Sequence, residues 1–317
     1  MKNLRKTTFS GALALLACAL ALPAGAAQLG EDARAAIPKD IQQLIVVDYR
    51  AMQNSTAAMD LKDRILPPEL KALEHALETS GLDADHDIEE LAFASYRAAD
   101  GTRIVGLAQG QFPVDDIMAN FRKHRIKPTL YRQNHIYPMG NTGMQVDFVN
   151  PTTMVFGQTG ALKNALDARD GMAPSLLNNS DMFSQMKSVD SEAVWSILDQ
   201  QGTQTMMRSV LGDASQLTDF DAVKKQLLNS RYSMSFDNGV KFELDVVTPD
   251  TISAATMASL LNAAALYKKM SGTDTEKQAI DNTTINSSGG TLDVSFASSD
   301  SEFASLLRSD LFQSVVK

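Results

Sequence analysis

The alternation of apolar and polar positions predicts the first elements of the chain. Residues 41–48 are apolar and β-branched, a pattern typical of a buried strand. Leu70, Leu73 and Leu77 then recur at helical spacing, and Gly81 follows as a residue that suits a helix end. The pattern therefore predicts a strand followed by helical segments, with a break between them at Pro67-Pro68.

Hairpin signals follow the first helical segments in both halves of the chain. Asp100-Gly101 separates the apolar runs 91–96 and 103–108, and Asn238-Gly239 separates 232–236 from 240–246. Asn-Gly between two such runs is the strongest short hairpin signal. The remaining predicted elements are strands at 129–137, 144–149, 153–156, 193–199 and 291–296, and helices at 160–169, 203–211, 220–229 and 299–312, with two more helices that begin after Pro113 and Pro249.

The order of the elements repeats, and this predicts an α+β protein made of two related units. Each half contains a strand, helices, a hairpin, a helix led by proline, further strands and a closing helix. We expect each unit to be a mainly antiparallel sheet with helices packed on one face, close to a split β-α-β-β-α-β arrangement. The predicted boundaries are 1–27 for a leader, 28–172 for the first unit and 173–317 for the second.

The leader has the three parts of a secretory signal peptide. Lys2, Arg5 and Lys6 precede an apolar run over 9–22, and small residues at 24–27 provide a cleavage site. The apolar run has 14 residues, fewer than the roughly 18–20 that a membrane-spanning helix needs. The sequence therefore predicts bacterial export of the Sec type to the periplasm or the medium, with no transmembrane segment after cleavage.

Cys18 leaves one alternative open for the location of the protein. Residues 15–18 loosely resemble a lipoprotein box, which would attach a lipid to Cys18. Against this alternative, Leu16 is bulky and the chain after Cys18 stays apolar, so we interpret Cys18 as part of the signal. Cleavage near residue 27 removes three cations and no acids, which changes the net charge from -9 to -12 and leaves no cysteine.

Several features of residues 36–200 resemble a group of exported bacterial proteins. The chain has a first strand that follows Pro38 and ends at Asp48, a Gly-Leu-Asp step at 81–83, and Asp87 before the hairpin. With the signal peptide, these features resemble uncharacterised exported proteins known only as domains of unknown function. The resemblance implies export and no assigned activity.

Composition and motifs argue against several classes of function. A net charge of -9 argues against general nucleic-acid binding, which needs a basic surface. A single cysteine gives no disulfide and no cysteine-based zinc site, and the chain contains no nucleophile elbow, P-loop or dinucleotide fingerprint. The aspartates at 83–87 lack the glycine and glutamate of a calcium loop. We therefore expect no metal, no cofactor and no catalytic residue.

A basic island in this acidic chain is the candidate binding site. It could hold an anionic group on a small molecule or on a partner protein. Alternatively, its cations simply end the helix that begins after Pro113, where they meet the negative end of the helix dipole. The candidate residues are Arg122, Lys123, Arg125, Lys127, Tyr131 and Arg132.

The alanine-rich helix predicted at 251–270 is a second candidate surface. Its small residues allow another element to approach closely. The amphipathic pattern favours packing on the second sheet. If the helix is partly exposed, however, we expect it to dock a partner.

Three hypotheses on function remain open. The first is a non-catalytic exported protein that binds a partner or serves as a scaffold, which predicts a broad surface patch. The second is a carrier of an apolar or anionic small molecule, which predicts a cavity between sheet and helices. The third is an enzyme without a recognisable motif, which predicts titratable groups with shifted pKa values in a cleft.

Overall fold

One large antiparallel sheet dominates the protein. The computed structural model describes residues 28–211, 220–309 and 312, so the leader and Cys18 lie outside the described residues. In the described part of the chain, twelve strands form the sheet. The strands are β1 (Ile41–Asp48), β2 (Ile88–Ala98), β3 (Gly101–Gly110), β4 (Thr129–Tyr131), β5 (Asn134–Pro138), β6 (Gln145–Asn150), β7 (Thr153–Gly157), β8 (Val194–Leu198), β9 (Asn229–Ser235), β10 (Val240–Val247), β11 (Thr283–Ser288) and β12 (Thr291–Ser298).

The helices connect these strands and pack on the sheet. Two short 3₁₀ turns, Leu176–Asn178 and Lys224–Gln226, accompany them. The α-helices are α1 (Glu31–Ala36), α2 (Tyr49–Gln53), α3 (Thr56–Ile65), α4 (Pro68–Thr79), α5 (Ala84–Asp87), α6 (Val114–Lys123), α7 (Thr159–Arg169), α8 (Ser180–Met186), α9 (Gln200–Leu211), α10 (Phe220–Val223), α11 (Thr251–Ser271), α12 (Asp274–Asp281) and α13 (Asp300–Leu306).

The two halves of the chain meet in the middle of the sheet. The strand order is β11-β12-β10-β9-β8-β1-β2-β3-β7-β6-β5-β4, and β1 pairs with β8. Outward from that junction the order is β1, β2, β3, β7, β6 on one side and β8, β9, β10, β12, β11 on the other. The same chain order therefore recurs on both sides, and the predicted α+β class with antiparallel pairing is confirmed. The two halves share one continuous sheet.

The strand order departs in one detail from a split β-α-β-β-α-β arrangement. In a split arrangement, another strand lies between the two strands that the first helix connects. Here β1 and β2 are adjacent and antiparallel over residues 41–48 and 90–96, because the helices between them turn the chain back beside β1. The equivalent strands β8 and β9 are also adjacent.

Helices cover one face of the sheet along its first half and the junction. Leu44 of β1, Leu107 of β3 and Trp195 of β8 are fully buried there, against Leu162 and Leu166 of α7. Residues directly opposite each other in an antiparallel pair share a face, and Val46 opposite Trp195 continues this core. The helices on this face are α1, α7 and α8.

The opposite face carries a layer of helices along both halves. Under α4 and α6 the buried residues include Met154 and Phe156 of β7, and under α9 and α11 they include Leu244 of β10. In the second half, the first face is polar, and Arg231 forms an ion pair there with Asp245 at 2.7 Å. Helices therefore cover one face in the second half, as expected, and both faces in the first half.

Local signals place most of the element ends where the sequence predicts them. The break between α3 and α4 consists of Leu66 and Pro67, and Pro68 is the first residue of α4. Gly81 has a φ of 98° after α4. In the second hairpin, Asn238 and Gly239 have φ values of 59° and 107°. Both lie in the left-handed region that this tight turn requires.

The single strand predicted at 129–137 is wrong. The structure has the short hairpin β4–β5 there, in which Tyr131 pairs with Asn134. The turn is formed by Arg132, whose φ of 55° places a non-glycine residue in the left-handed region. The structure also contains α1, α8, α12 and β11, which the pattern of apolar and polar residues does not predict.

No helix in the described ranges is both long enough and apolar enough to span a bilayer. The longest, α11, has 21 residues.

Candidate functional site

The basic island begins at the carboxyl end of α6. Arg122 and Lys123 occupy the last turn of the helix, and Arg125 follows with a φ of 58°. These cations and Lys127 are exposed to solvent. The placement satisfies the helix dipole without any ligand.

Tyr131 and Arg132 lie apart from the end of α6, next to α7. The Tyr131 hydroxyl donates to Asp167 at 3.0 Å, and Arg132 Nε donates to the same carboxylate at 2.8 Å. The ammonium of Lys163 lies 4.9 Å from the centre of the Tyr131 ring. The two residues are therefore engaged within the protein.

The sheet separates the two parts of the predicted basic site. Phe121 of α6 packs against Tyr137, with 4.7 Å between ring centroids. Tyr131 lies opposite Asn134, and side chains three positions apart on a strand point to opposite faces. The six candidate residues therefore do not form one site.

A narrow apolar cleft lies between the sheet and helices α3 and α4. Its volume is about 60 Å³. The cleft is lined by Leu66, which follows α3, by leucines of α4 and by aromatic residues of the sheet. The last two sets are Leu70, Leu73, Leu77, Phe93 and Phe156.

Lys62 is the cation at the wall of this cleft. Its Nζ lies 2.7 Å from Glu74 Oε1 and 2.8 Å from the Tyr49 hydroxyl, which in turn donates to Asp85 at 3.0 Å. Burial acts to lower the pKa of Lys62, but the hydrogen bonds to Glu74 and Tyr49 outweigh it and raise that pKa. Lys62 therefore stays charged inside a closed network.

An acidic cleft of about 680 Å³ lies where β1 ends. Asp48 Oδ1 accepts a hydrogen bond from the backbone of Ala51 at 2.7 Å, and Arg50 pairs with Glu89 at 2.8 Å. Burial, and then the charge of Asp48, raise the pKa of Glu90 to about 7. Among the described residues, Glu90 Oε2 is buried and has no hydrogen-bond partner. In the same described part of the chain, no three His, Cys, Asp or Glu side chains could hold a metal ion.

In the described part of the chain, α11 carries more exposed large apolar side chains than any other helix. The inward face packs on the second half of the sheet through Met257 and Leu261. No charged residue occurs from position 251 to position 267. Four large side chains of the outward face are exposed, and their exposed fractions are 79% for Ile252, 62% for Leu266, 60% for Tyr267 and 80% for Met270.

Small and polar residues fill the middle of this outward face. Ala255, Thr256, Ser259, Asn262 and Ala263 are all exposed. The polar ones bond back to their own helix: Thr256 to the carbonyl of residue 252, Ser259 to that of 255 and Asn262 to that of 258, each at 2.9 Å. The face therefore presents mainly methyl and methylene groups to solvent.

Comparisons with known proteins add a similarity of fold. No family model matches the chain, and no curated protein matches it by sequence. The chain resembles the solved structure of crystal form I of TP0453 with a TM-score of 0.48 and 11% identity, over 89% of this chain and 96% of that chain. It resembles crystal form IV of TP0453 with a TM-score of 0.48 and 12% identity, over 87% of this chain and 96% of that chain. At this identity the similarity concerns the fold alone.

Proposed function

We propose that this chain is an exported, non-catalytic protein that binds a protein partner, or serves as a scaffold, through the outward face of α11. The observation that supports the proposal is a 21-residue helix that is uncharged over seventeen residues and still half open to solvent. A surface helix normally carries charged and polar residues on its outward face, whereas the outward face of α11 has no charge from position 251 to position 267 and carries four exposed large apolar side chains.

The size of the exposed surface supports the same proposal. Taking roughly 150–250 Å² for each large side chain, the four exposed residues leave about 500 Å² of mainly apolar surface in water. Patches of about 300–600 Å² are the largest found on ordinary monomers and often serve in binding. At about 25 cal/mol for each Å², covering this surface would contribute on the order of 10 kcal/mol, and the loss of translational and rotational freedom on association offsets part of it.

Carriage of a small molecule ranks below binding of a partner, because the apolar cleft is too small to enclose a drug-sized ligand. Pockets that enclose a drug-sized ligand measure roughly 300–1,000 Å³, and the cleft beside Lys62 measures about 60 Å³. A carrier would need α3 and α4 to move outward, which would expose the leucines that now pack on the sheet.

An enzymatic role ranks third because the acidic cleft offers a single carboxyl group with a raised pKa. A catalytic site combines such a group with a nucleophile or a charge-stabilising donor that is free to act on the substrate. The neighbouring Asp48 already caps α2, and Glu89 is already paired with Arg50.

Export in this proposal rests on the first 27 residues. Their cationic, apolar and small-residue segments support cleavage and release outside the cytoplasm. Attachment through Cys18 is the alternative location.

Labelling with a thiol reagent tests the proposal in intact cells. In a Cys18→Ala background, Ala263→Cys places a thiol on the outward face of α11, and Ser295→Cys places one on the open polar face of the sheet. Both positions are exposed. We expect position 263 to be protected in cells and labelled in dilute purified protein, and position 295 to be labelled in both. Equal labelling of both positions in cells would refute the proposal.

A further inference from the structure

We propose that the partner at this face is a second copy of the same chain, bound through an antiparallel pair of α11 helices centred on Ser259. This inference rests on the proposed function, since it names the partner that covers the same face. The pairing is isologous, so each chain contributes the same surface to a twofold interface.

The outward face is symmetric about Ser259. Ile252 and Leu266 stand seven residues before and after it, and Ala255 and Ala263 stand four residues before and after it. Seven residues make two helical turns, so Ile252, Ser259 and Leu266 share one line along the helix, and the two alanines flank that line. The stripe therefore has large residues at both ends and small residues in the middle.

An antiparallel copy matches this stripe residue by residue. When Ser259 faces Ser259 of the second copy, Ile252 faces Leu266 and Ala255 faces Ala263. Large side chains then pack against large ones near the ends, while the small residues let the backbones approach in the middle. Opposite helix directions also place unlike dipole ends side by side.

The cost of removing water from this face is low. Thr256, Ser259 and Asn262 already donate to carbonyls of their own helix, so few polar groups lose a water partner when the face is covered. From position 251 to position 267 the helix also contains no charged side chain whose burial would oppose association.

The available area is close to what a stable dimer needs. A standard interface buries about 800 Å² on each partner. The four large side chains supply about 500 Å² of it, and the small residues between them extend along a helix that is about 30 Å long.

The mass of the purified protein tests this pairing. We expect sedimentation equilibrium to give twice the mass of one chain, and Leu266→Asp to raise the dissociation constant about tenfold or more. Ile104→Asp is the matched control, because Ile104 is 61% exposed and lies in β3 of the other half. A monomer at all concentrations, or equal effects of the two variants, would overturn the proposal.

Disulfide cross-linking tests the direction of the helices. In the Cys18→Ala background, a mixture of Ala255→Cys and Ala263→Cys chains should form the mixed disulfide on oxidation, and each variant alone should not. Cross-linking of each variant with itself would show a parallel pair and overturn the antiparallel arrangement. If the purified protein is monomeric but position 263 is still protected from labelling in cells, the partner is not a second copy of the chain. That pair of results would overturn this inference and leave the proposed function standing.

Discussion

Replacing Glu90 with glutamine should make the protein less sensitive to pH. Glu90 is half-buried on β2 beside Asp48, and its pKa is raised from 4.5 to about 7, mainly by burial. In the unfolded chain the same carboxyl regains its ordinary pKa. Between these two values the folded state holds a proton that the unfolded state has already lost.

The magnitude follows from that difference. The gap between the two pKa values corresponds to about 3 kcal/mol. Because Glu90 is only half-buried, solvent screens part of this free energy, and about 2 kcal/mol remains. The free energy of unfolding should therefore fall by about 2 kcal/mol as the pH rises from about 4.5 to 7, and the contribution of Glu90 should be constant above that range.

Urea unfolding measures this effect. The chain has a single tryptophan, Trp195, which is fully buried, so its fluorescence reports the loss of the core. At one protein concentration, Glu90→Gln should exceed the parent in stability by about 2 kcal/mol at pH 8 and match it near pH 4.5. Glu89→Gln is the control, because the Glu89 side chain is 41% exposed and is paired with Arg50. Identical pH profiles for the parent and Glu90→Gln would refute the reasoning.

Three further substitutions test the packing and ion pairs by the same unfolding assay. Lys62→Met should lose about 1–3 kcal/mol, because Glu74 keeps its charge without its partner at 2.7 Å, and no loss would contradict the closed network. Gly106→Ala should lose about 1–3 kcal/mol, because the new Cβ would lie 2.1 Å from the buried ring of Phe156. Asp167→Asn should lose about 1 kcal/mol by weakening its charge-assisted hydrogen bonds. An unchanged unfolding midpoint in either of the last two would contradict the corresponding contact.

Elements with strong local signals are predictable from this sequence. Residues 41–48 form a strand because they are apolar and β-branched, and Asn238-Gly239 forms the turn that its backbone freedom favours. The edge strand β11 carries a single apolar residue, Ile285, so its sequence lacks the signal of a buried strand. The pairing of β1 with β8 joins residues about 150 positions apart, and no local pattern specifies it.

The candidate surface was only partly predictable, for a physical reason. The sequence favours packing of α11 on the second sheet, and this is correct for Met257 and Leu261. Because the opposite side of the helix is also uncharged, the pattern does not show which side the fold leaves open. The basic residues had a clear signal, but Tyr131 and Arg132 are held by Asp167 on another face of the sheet, and sequence proximity does not reveal that separation.

Photo-cross-linking from position 267 in cells tests the central claim most directly. Tyr267 is 60% exposed on the outward face of α11, and a benzoylphenylalanine there keeps an aromatic ring at that position. We expect one discrete adduct with twice the mass of the chain, which is lost when Leu266→Asp is added. The absence of any adduct from position 267, or the same adducts from the control position Ile104, would contradict the central claim.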